Sequence, residues 1–110
     1  MNIPQEIFDE LIKILSENEK IEKAVLIGSR ARNDNTPYSD IDIVIFASSM
    51  SFSEYLQFLS NFDNIKTLIS FDIIKYETIK DYNFIKTIQK EGKVIFEKRL
   101  IKNILIYLLI

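Results

Sequence analysis

Apolar residues recur along this chain in two patterns, one typical of helices and the other typical of strands. Residues 3–15 carry them at helical spacing, with Pro4 near the first turn and Asn18 near the end, and predict an amphipathic opening helix. Residues 21–27 end in four consecutive apolar residues, which predicts a central strand because a strand covered on both faces has no polar side. The chain therefore opens as a helix followed by a buried strand.

The segments that follow continue this alternation of helix and strand. A second strand is expected over about residues 40–47 and a third over residues 66–76. A helix that Ser53 can cap lies between them, and residues 78–91 predict another helix. The helix between the strands has a predicted apolar face that consists of Phe52, Tyr55, Leu56, Leu59 and Phe62.

Two aspartates lie at the start of the second predicted strand, and ten residues separate them from a Gly28-Ser29 step. Because successive side chains of a strand point to opposite faces, Asp40 and Asp42 share one face, with Cα atoms roughly 7 Å apart. Carboxylates placed in this way can converge on Mg²⁺, which binds oxygen ligands and substrate phosphates. The alternative is a solvent-facing edge with two exposed acids, but like-charge repulsion and the apolar strand around them argue against it.

The Gly28-Ser29 step predicts a place for phosphate. Glycine lets the backbone leave the strand with φ values that a Cβ would forbid, and it leaves room for a phosphate near the main chain. Residues 29–32 indicate the first turn of a short helix, whose N-terminal N–H groups attract anions. Ser29 can add a hydroxyl donor, and Arg30 or Arg32 a planar fork suited to phosphate oxygens. Metal carboxylates beside a phosphate cradle point to phosphoryl or nucleotidyl transfer.

The string GSRAR and its spacing to SDIDI resemble the minimal nucleotidyltransferases, or MNT domains, of the DNA polymerase beta superfamily. The likeness covers most of the chain, since FDII and EGKVIFE are similar to later segments of that family. It implies the nucleotidyltransferase fold, which is α/β (α+β) with a mixed, mostly four-stranded sheet and helices packed on it. It also implies that Asp72 completes a metal triad with Asp40 and Asp42 and can take the proton of an attacking hydroxyl. The residues alone leave open that Asp72 is an exposed strand acid.

One position departs from the pattern of that family. Asn33 stands where many members carry a second glycine. Because asparagine enters the left-handed region of φ/ψ space more readily than most residues, we expect the turn to be kept. Nucleotide affinity is the property that this change would alter.

The resemblance further implies an enzyme that uses ATP and two Mg²⁺ ions and that acts on a partner protein. Larger relatives carry a helical domain that presents the acceptor, for which a chain of 110 residues has no room. Minimal members are typically paired with a small all-helical HEPN toxin, and the MNT member resembles an antitoxin that transfers AMP to a tyrosine of that toxin. In this assignment Arg30 offsets charge on the leaving pyrophosphate. Two alternatives stay open, a toxin-binding module without catalysis and a transferase acting on a small hydroxylated compound such as an antibiotic.

Composition narrows the chemistry and leaves the fold prediction unchanged. Hydrophobic residues make up 47% and charged residues 27%, which is typical of a single folded domain at this length. The chain has no histidine and no cysteine, so its chemistry must use carboxylates, hydroxyls, lysines and arginines. A net charge of −2 argues against a nucleic-acid template. The N-terminus lacks the pattern of a signal peptide, which predicts a cytoplasmic protein.

The end of the chain is its most apolar part. Gly92 is expected to cap the last helix, and residues 93–97 predict a short final strand. The segment KRLIKNILIYLLI that follows is too short for a membrane span of roughly 20 apolar residues. Its apolar helical face predicts an interface with a partner or a second copy, with packing on the sheet or binding to a membrane surface as alternatives. We therefore divide the chain into a nucleotidyltransferase domain over residues 1–98 and a helical tail over residues 99–110.

Overall fold

The strands of the computed structural model form one mixed sheet, and the structure describes residues 1–98 together with Leu108 and Leu109. The helices are α1 (Gln5–Glu17), α2 (Ser29–Arg32), α3 (Phe52–Leu59) and α4 (Tyr82–Glu91), with 3₁₀ turns at Ser60–Asn64 and Tyr76–Thr78. The strands are β1 (Lys23–Ile27), β2 (Ile41–Phe46), β3 (Phe71–Lys75) and β4 (Lys93–Glu97). The predicted α/β (α+β) class and the mixed four-stranded sheet are confirmed.

The strand order β3-β2-β1-β4 places β1 and β2 inside the sheet and the other two strands at its edges. β1 is antiparallel to both of its neighbours, whereas β2 and β3 are parallel. The central position predicted for β1 is confirmed, and its residues from Ala24 to Ile27 are all buried. The parallel pairing brings the first residues of β2 and β3, Ile41 and Phe71, to the same end of the sheet.

Helices cover the two faces of the sheet unequally. On one face, Leu15 of α1 and Phe58 of α3 belong to a large buried cluster with the strand residue Leu26. On the other face, Ile88 of α4 belongs to a smaller buried cluster with Val44 of β2. Because side chains alternate along β2, Asp42 lies on the same face of the sheet as Val44. This second face is therefore the one available for a site.

Helix α3 begins earlier than predicted, and its cap is Ser51 rather than Ser53. The Ser51 hydroxyl accepts a hydrogen bond from the Glu54 N–H at 3.1 Å, and the Glu54 carboxylate accepts one from the Ser51 N–H at 2.9 Å. Such a reciprocal pair satisfies two N–H groups that the first turn of a helix leaves free. The buried face shifts accordingly, because Phe58, which the predicted stripe omits, is fully buried. Of the predicted stripe, Tyr55, Leu59 and Phe62 are buried or half-buried, whereas Phe52 and Leu56 are exposed.

Local hydrogen bonds also make the third strand shorter than predicted and make α4 begin later in the chain than predicted. β3 begins at Phe71 rather than at residue 66, since the Ile69 N–H bonds to the Thr67 hydroxyl at 3.1 Å in a local turn. α4 begins at Tyr82 rather than at residue 78, because the Asp81 carboxylate accepts the Asn83 N–H at 2.9 Å and caps the helix there. β1 and β2 are each shorter than predicted, by two residues at the start of β1 and by one residue at each end of β2.

The end of α4 requires a glycine for a reason that the sequence does not reveal. Gly92 lies at the C-cap as predicted, but its φ is −66°, so it is not in the left-handed conformation typical of a glycine cap. A Cβ at this position would lie 2.5 Å from Cγ1 of Val25 and would also press on the Ile88 carbonyl. The glycine therefore allows α4 to pass closely over β1.

No helix within the described ranges is both long enough and apolar enough to cross a bilayer. The predictions for the tail over residues 99–110 fall outside the described residues, apart from Leu108 and Leu109, whose side chains are exposed.

Candidate active site

Two of the predicted acids lie side by side on adjacent parallel strands. Asp42 is the second residue of β2 and Asp72 the second residue of β3, and the two are direct partners in the register. Partners on neighbouring strands point to the same face and lie about 4.8 Å apart, so the two carboxylates share one patch of surface. Asp42 is half-buried and Asp72 is exposed, which leaves the pair open to a ligand.

Asp40 precedes β2 by one residue, so the preceding loop as well as the sheet determines its position. The Ile41 N–H bonds to the Ser70 carbonyl at 2.9 Å and holds the start of β2 against the segment that enters β3. The Asp40 side chain is exposed, and its charge acts on Asp42. Asp40 and Asp72 therefore both lie near enough to Asp42 for their charges to act on it.

Gly28 lies directly against the carboxylate of Asp42. Its backbone has φ 75° and ψ −160°, a region that is open to glycine and closed to other residues. A Cβ built on Gly28 would lie 2.6 Å from Oδ2 of Asp42, so only a bare backbone fits beneath this carboxylate. The Gly28 carbonyl accepts the N–H groups of Ala31 and Arg32 at 3.1 and 3.2 Å and so starts α2. The predicted turn from strand to helix and the predicted acids thus occupy one site.

The helix α2 ends at a residue in the left-handed conformation. Asn33 has φ 65° and ψ 27°, and its N–H bonds to the Ser29 carbonyl. The Asp34 N–H bonds to the same carbonyl at 3.0 Å. The expectation that asparagine accepts this conformation in place of glycine is confirmed.

The three acids form a patch of negative charge. Burial, together with the charges of Asp72 and Asp40, raises the pKa of the Asp42 carboxyl above its ordinary value. The ion pairs formed by residues 1–98 involve Lys20 and Arg32, and none of them includes the three acids. Such a patch favours binding of a cation.

The donor set fits Mg²⁺, although the side chains as they stand do not enclose an ion. Carboxylate oxygens are the ligands that Mg²⁺ prefers, usually one or two of them together with substrate phosphates and water. In the described part of the chain, no three acidic side chains are already close enough to ligate one ion together. Rotation of side chains on fixed strands would bring Asp42 and Asp72 to a common point, whereas Asp40 depends on its loop.

Arg30, which the sequence suggested as a phosphate ligand, is instead used inside the fold. Its side chain is only 2% exposed, and it donates hydrogen bonds to backbone carbonyls, the shortest to Ser39 at 2.9 Å. A guanidinium that is shielded from solvent and bonded in this way could bind a triphosphate only by giving up these bonds. The structure therefore does not support the prediction that Arg30 neutralises pyrophosphate.

Arg32 remains at the surface, where it joins α2 to the end of α4. Its Nε donates to Asp34 at 3.0 Å and its Nη1 donates to Glu91 at 3.2 Å. These hydrogen bonds raise the pKa of the Arg32 guanidinium above its ordinary value. Exposed ion pairs of this kind contribute little to stability, so the fold does not depend on them.

Sequence reasoning assigned Tyr55 only to an apolar stripe, yet its hydroxyl lies near the acids. The hydroxyl donates to the carbonyl of Ile73, on β3, and burial together with the charge of Asp72 raises its pKa. A groove of about 640 Å³ runs beside β3, and its lining includes Tyr55, Thr67, Ser70 and Asp72. No local sequence signal marks Tyr55, because only the packing of α3 beside β3 brings it there.

The sequence of this chain also matches those of known proteins. The sequence model of the family described as "Polymerase beta, Nucleotidyltransferase" matches residues 9–100. A protein of Methanocaldococcus jannaschii named "Putative protein adenylyltransferase" is 33% identical over 90 residues, which cover 79% of this chain and 89% of that protein.

Solved structures share the fold. A chain of a toxin–antitoxin complex with AMP-PNP is 20% identical, with a TM-score of 0.62, over 91% of this chain and 86% of that one. A chain of a complex between a tri-AMPylated Shewanella oneidensis HEPN toxin and an MNT antitoxin is 17% identical, with a TM-score of 0.57, over 91% and 77%. At these identities the likeness concerns the fold alone.

Proposed function

Because this chain belongs to the polymerase beta nucleotidyltransferase family, we propose that it is a Mg²⁺-dependent protein adenylyltransferase. It transfers AMP from ATP to a tyrosine hydroxyl of an all-helical HEPN toxin and thereby acts as the antitoxin of that toxin, in the cytoplasm. The name of the Methanocaldococcus relative supports the reaction, and the toxin–antitoxin complexes of the same fold support the partner. A net charge of −2 supports a protein acceptor over a nucleic-acid template.

The observation that carries this proposal is the register that pairs Asp42 with Asp72 beside the bare backbone of Gly28. Two carboxylates on one face supply the oxygen ligands for Mg²⁺, and Asp40 adds a third. When bound, Mg²⁺ would neutralise charge on the triphosphate and on the leaving pyrophosphate. The role left to the protein is to position the reacting groups, for which a rigid sheet is suited.

The triphosphate is assigned to the turn between β1 and α2. The backbone at Gly28 permits close approach of a phosphate, and the Ser29 hydroxyl can donate to its oxygens. Arg32, after release from Asp34 and Glu91, supplies a planar fork for the terminal phosphates. In this assignment Arg32 takes the role that the buried Arg30 cannot take.

Transfer forms one bond and breaks another. The tyrosine oxygen attacks the α-phosphorus of ATP, the bond from that phosphorus to the oxygen that bridges to the β-phosphate breaks, and pyrophosphate leaves. Asp72, the more exposed of the two strand carboxylates, takes the proton of the tyrosine hydroxyl. The groove beside β3, which includes Asp72 in its lining, offers space for the segment that carries the tyrosine. The tail over residues 99–110 is proposed to bind the partner or a second copy.

Labelled ATP tests the reaction directly. Incubation of the chain with ATP labelled at the α-phosphate, Mg²⁺ and a candidate HEPN toxin should place label on the toxin. The double variant Asp40→Asn/Asp42→Asn should abolish labelling, whereas Glu6→Gln/Glu10→Gln on α1, which removes the same charge from an exposed surface, should not. The tyrosine is identified by mass spectrometry of the labelled toxin.

Two results would replace the proposal by one of its alternatives. If the double aspartate variant still neutralises the toxin fully in cells, then binding without catalysis is the mechanism. If label appears on a small hydroxylated compound and never on protein, then the chain is a small-molecule transferase.

A further inference from the structure

Among residues 1–98, Arg30 is the one charged residue whose side chain is buried. No acidic side chain in this range forms an ion pair with it. A buried charge is normally paired with an opposite charge or coordinated by a metal, since removing it from water is costly. For Arg30, the dipoles of backbone carbonyl groups take the place of an opposite charge. Its guanidinium donates from Nε to Ser39 at 2.9 Å, from Nη1 to Asn2 at 3.1 Å, and from Nη2 to Pro37 at 3.2 Å and Thr36 at 3.5 Å.

We infer that Arg30 is a positioning residue, which places Asp40 so that it can join Asp42 and Asp72 around a divalent cation. This inference rests on the proposed function for its catalytic meaning, while its structural content concerns the loop over residues 33–39. The Ser39 carbonyl and the Asp40 N–H belong to one planar peptide group. When Nε holds that carbonyl at 2.9 Å, it also fixes the plane from which Asp40 extends.

The other backbone attachments of this segment lie on either side of the turn: the Asp34 N–H bonds to the Ser29 carbonyl at 3.0 Å, and the Ile41 N–H bonds to the Ser70 carbonyl at 2.9 Å. Within the turn, the Thr36 N–H bonds to the Ser39 hydroxyl at 2.9 Å and the Tyr38 N–H bonds to the Thr36 hydroxyl at 3.2 Å. These bonds shape the turn but do not attach it to the sheet. Tyr38 is 87% exposed, so the tip of the loop buries little apolar surface. Arg30 therefore holds the turn over residues 36–39, on the N-terminal side of Asp40, against the body of the protein.

Arg30 is itself held in place from both ends. Its backbone belongs to α2, and its carbonyl accepts the Asn2 N–H at 2.9 Å, while its Nη1 donates to the Asn2 carbonyl. The side chain thus connects the phosphate turn, the N-terminal segment and the loop that precedes Asp40. Through this connection the two halves of the site, the cradle at Gly28 and the acid at Asp40, keep one relative position.

An arginine is required because its planar fork reaches several carbonyls at once. A lysine at the same position keeps the charge but concentrates three donors on one flexible nitrogen. It cannot hold Ser39, Pro37 and Asn2 in the directions that Nε and the two Nη atoms cover. Arg30→Lys therefore separates the geometry of the guanidinium from its charge.

The test measures metal binding and loop order in Arg30→Lys, in addition to transfer. Mn²⁺ is titrated into the full chain and free Mn²⁺ is followed by electron paramagnetic resonance. We expect Arg30→Lys to bind Mn²⁺ roughly tenfold more weakly, in line with losses at residues that orient metal ligands. We also expect amide exchange over residues 36–40 to be at least about tenfold faster, while exchange in β1 and β2 stays unchanged. Phe58→Leu, a core change on the other face of the sheet, controls for lost stability and should leave Mn²⁺ affinity unchanged.

The outcomes separate this inference from the proposed function. A wild-type chain that binds Mn²⁺ and transfers nothing overturns the adenylyltransferase and leaves the role of Arg30 standing if Arg30→Lys weakens Mn²⁺ binding. Mn²⁺ affinity and loop exchange within twofold of wild type in a folded Arg30→Lys variant overturn the inference, as does a wild type that binds no Mn²⁺. If Arg30→Lys does not fold, Pro37→Gly loosens the same turn from its exposed side, and unchanged Mn²⁺ affinity in that variant overturns the inference equally.

Discussion

Replacement of Asp42 by asparagine should make the metal-free protein more stable while it removes function. The change keeps the shape of the side chain and removes one charge from a patch in which Asp72 is its direct partner on the adjacent strand. Asp40 adds a second repulsive charge. Asp42→Asn therefore relieves repulsion that the folded protein bears only because these acids have been brought together.

The size of this effect follows from the spacing of the strands. Two unit charges roughly 5 Å apart repel by about 0.8 kcal/mol in water and about 3 kcal/mol at an effective dielectric constant of 20. Asp72 is exposed and Asp42 is only partly buried, so the value near water applies, about 1 kcal/mol. In a domain of this length, that free energy corresponds to a rise in melting temperature of about 4 °C.

Thermal unfolding followed by circular dichroism in EDTA, at pH 7 and low salt, measures this difference. Glu10→Gln, which neutralises an exposed acid on α1, is the matched control and should leave the melting temperature unchanged. Mg²⁺ at ten times its dissociation constant should stabilise the wild type by about 1.4 kcal/mol and should stabilise Asp42→Asn much less. The difference in melting temperature between the two proteins should therefore disappear or change sign when metal is added.

The raised pKa of Asp42 also determines how the stability of the protein depends on pH. Because the pKa of Asp42 is raised in the folded protein, its ionised form destabilises that state, and this cost is complete above the raised value. As the pH falls through the raised pKa the folded protein takes up the proton, and the cost is gone below the ordinary aspartate pKa of 3.8. The stability gap between wild type and Asp42→Asn should shrink over that interval. The reasoning is refuted if Asp42→Asn is no more stable than wild type in EDTA, or if Mg²⁺ raises both melting temperatures equally.

Three further substitutions test the phosphate turn. Gly28→Ala should lower the melting temperature and abolish transfer, since a residue with a Cβ pays about 1–2 kcal/mol at a φ of 75° and its methyl group would displace the Asp42 carboxylate; Asn33→Gly, at the other positive φ, should leave stability unchanged or slightly higher. Full transfer activity in Gly28→Ala would refute the close approach. Arg32→Ala should raise the KM for ATP roughly tenfold, because it removes a charge-assisted hydrogen bond to phosphate. The melting temperature should change little, because only an exposed ion pair is lost from the fold. An unchanged KM measured by initial rates would exclude Arg32 from the phosphate site.

Much of the site follows from local order in the sequence. Ten residues between Ser29 and Asp40, one residue between Asp40 and Asp42, and an apolar strand ahead of Gly28 specify a strand, a turn and an acidic second strand. Strand periodicity then puts Asp42 on the face opposite Ile41 and Ile43, as observed. These features depend on residues that are close together in the chain, so they can be predicted from the sequence.

The local sequence pattern mispredicts where a helix begins when a hydrogen bond between a side chain and a nearby backbone N–H determines the first residue. Both Ser51 and Ser53 can cap a helix, and Ser51 does so because Glu54 lies three residues later and completes the reciprocal pair. α4 also begins later than predicted, because the Asp81 carboxylate accepts the Asn83 N–H and caps the helix there. The signals were present in the sequence but competed with others of similar strength.

The residues whose roles changed are those whose partners lie far away in the chain. Arg30 has the same side chain and nearly the same local setting as Arg32, yet one is buried on the carbonyls of Asn2 and Ser39 and the other is paired at the surface. Asp72 meets Asp42 only because β3 adds parallel to the edge of β2, thirty residues later in the chain. The sequence determined which groups the site could contain, because periodicity and turn chemistry act between near neighbours. The tertiary structure decided which of them meet, because contact between distant segments depends on the packing of the whole sheet.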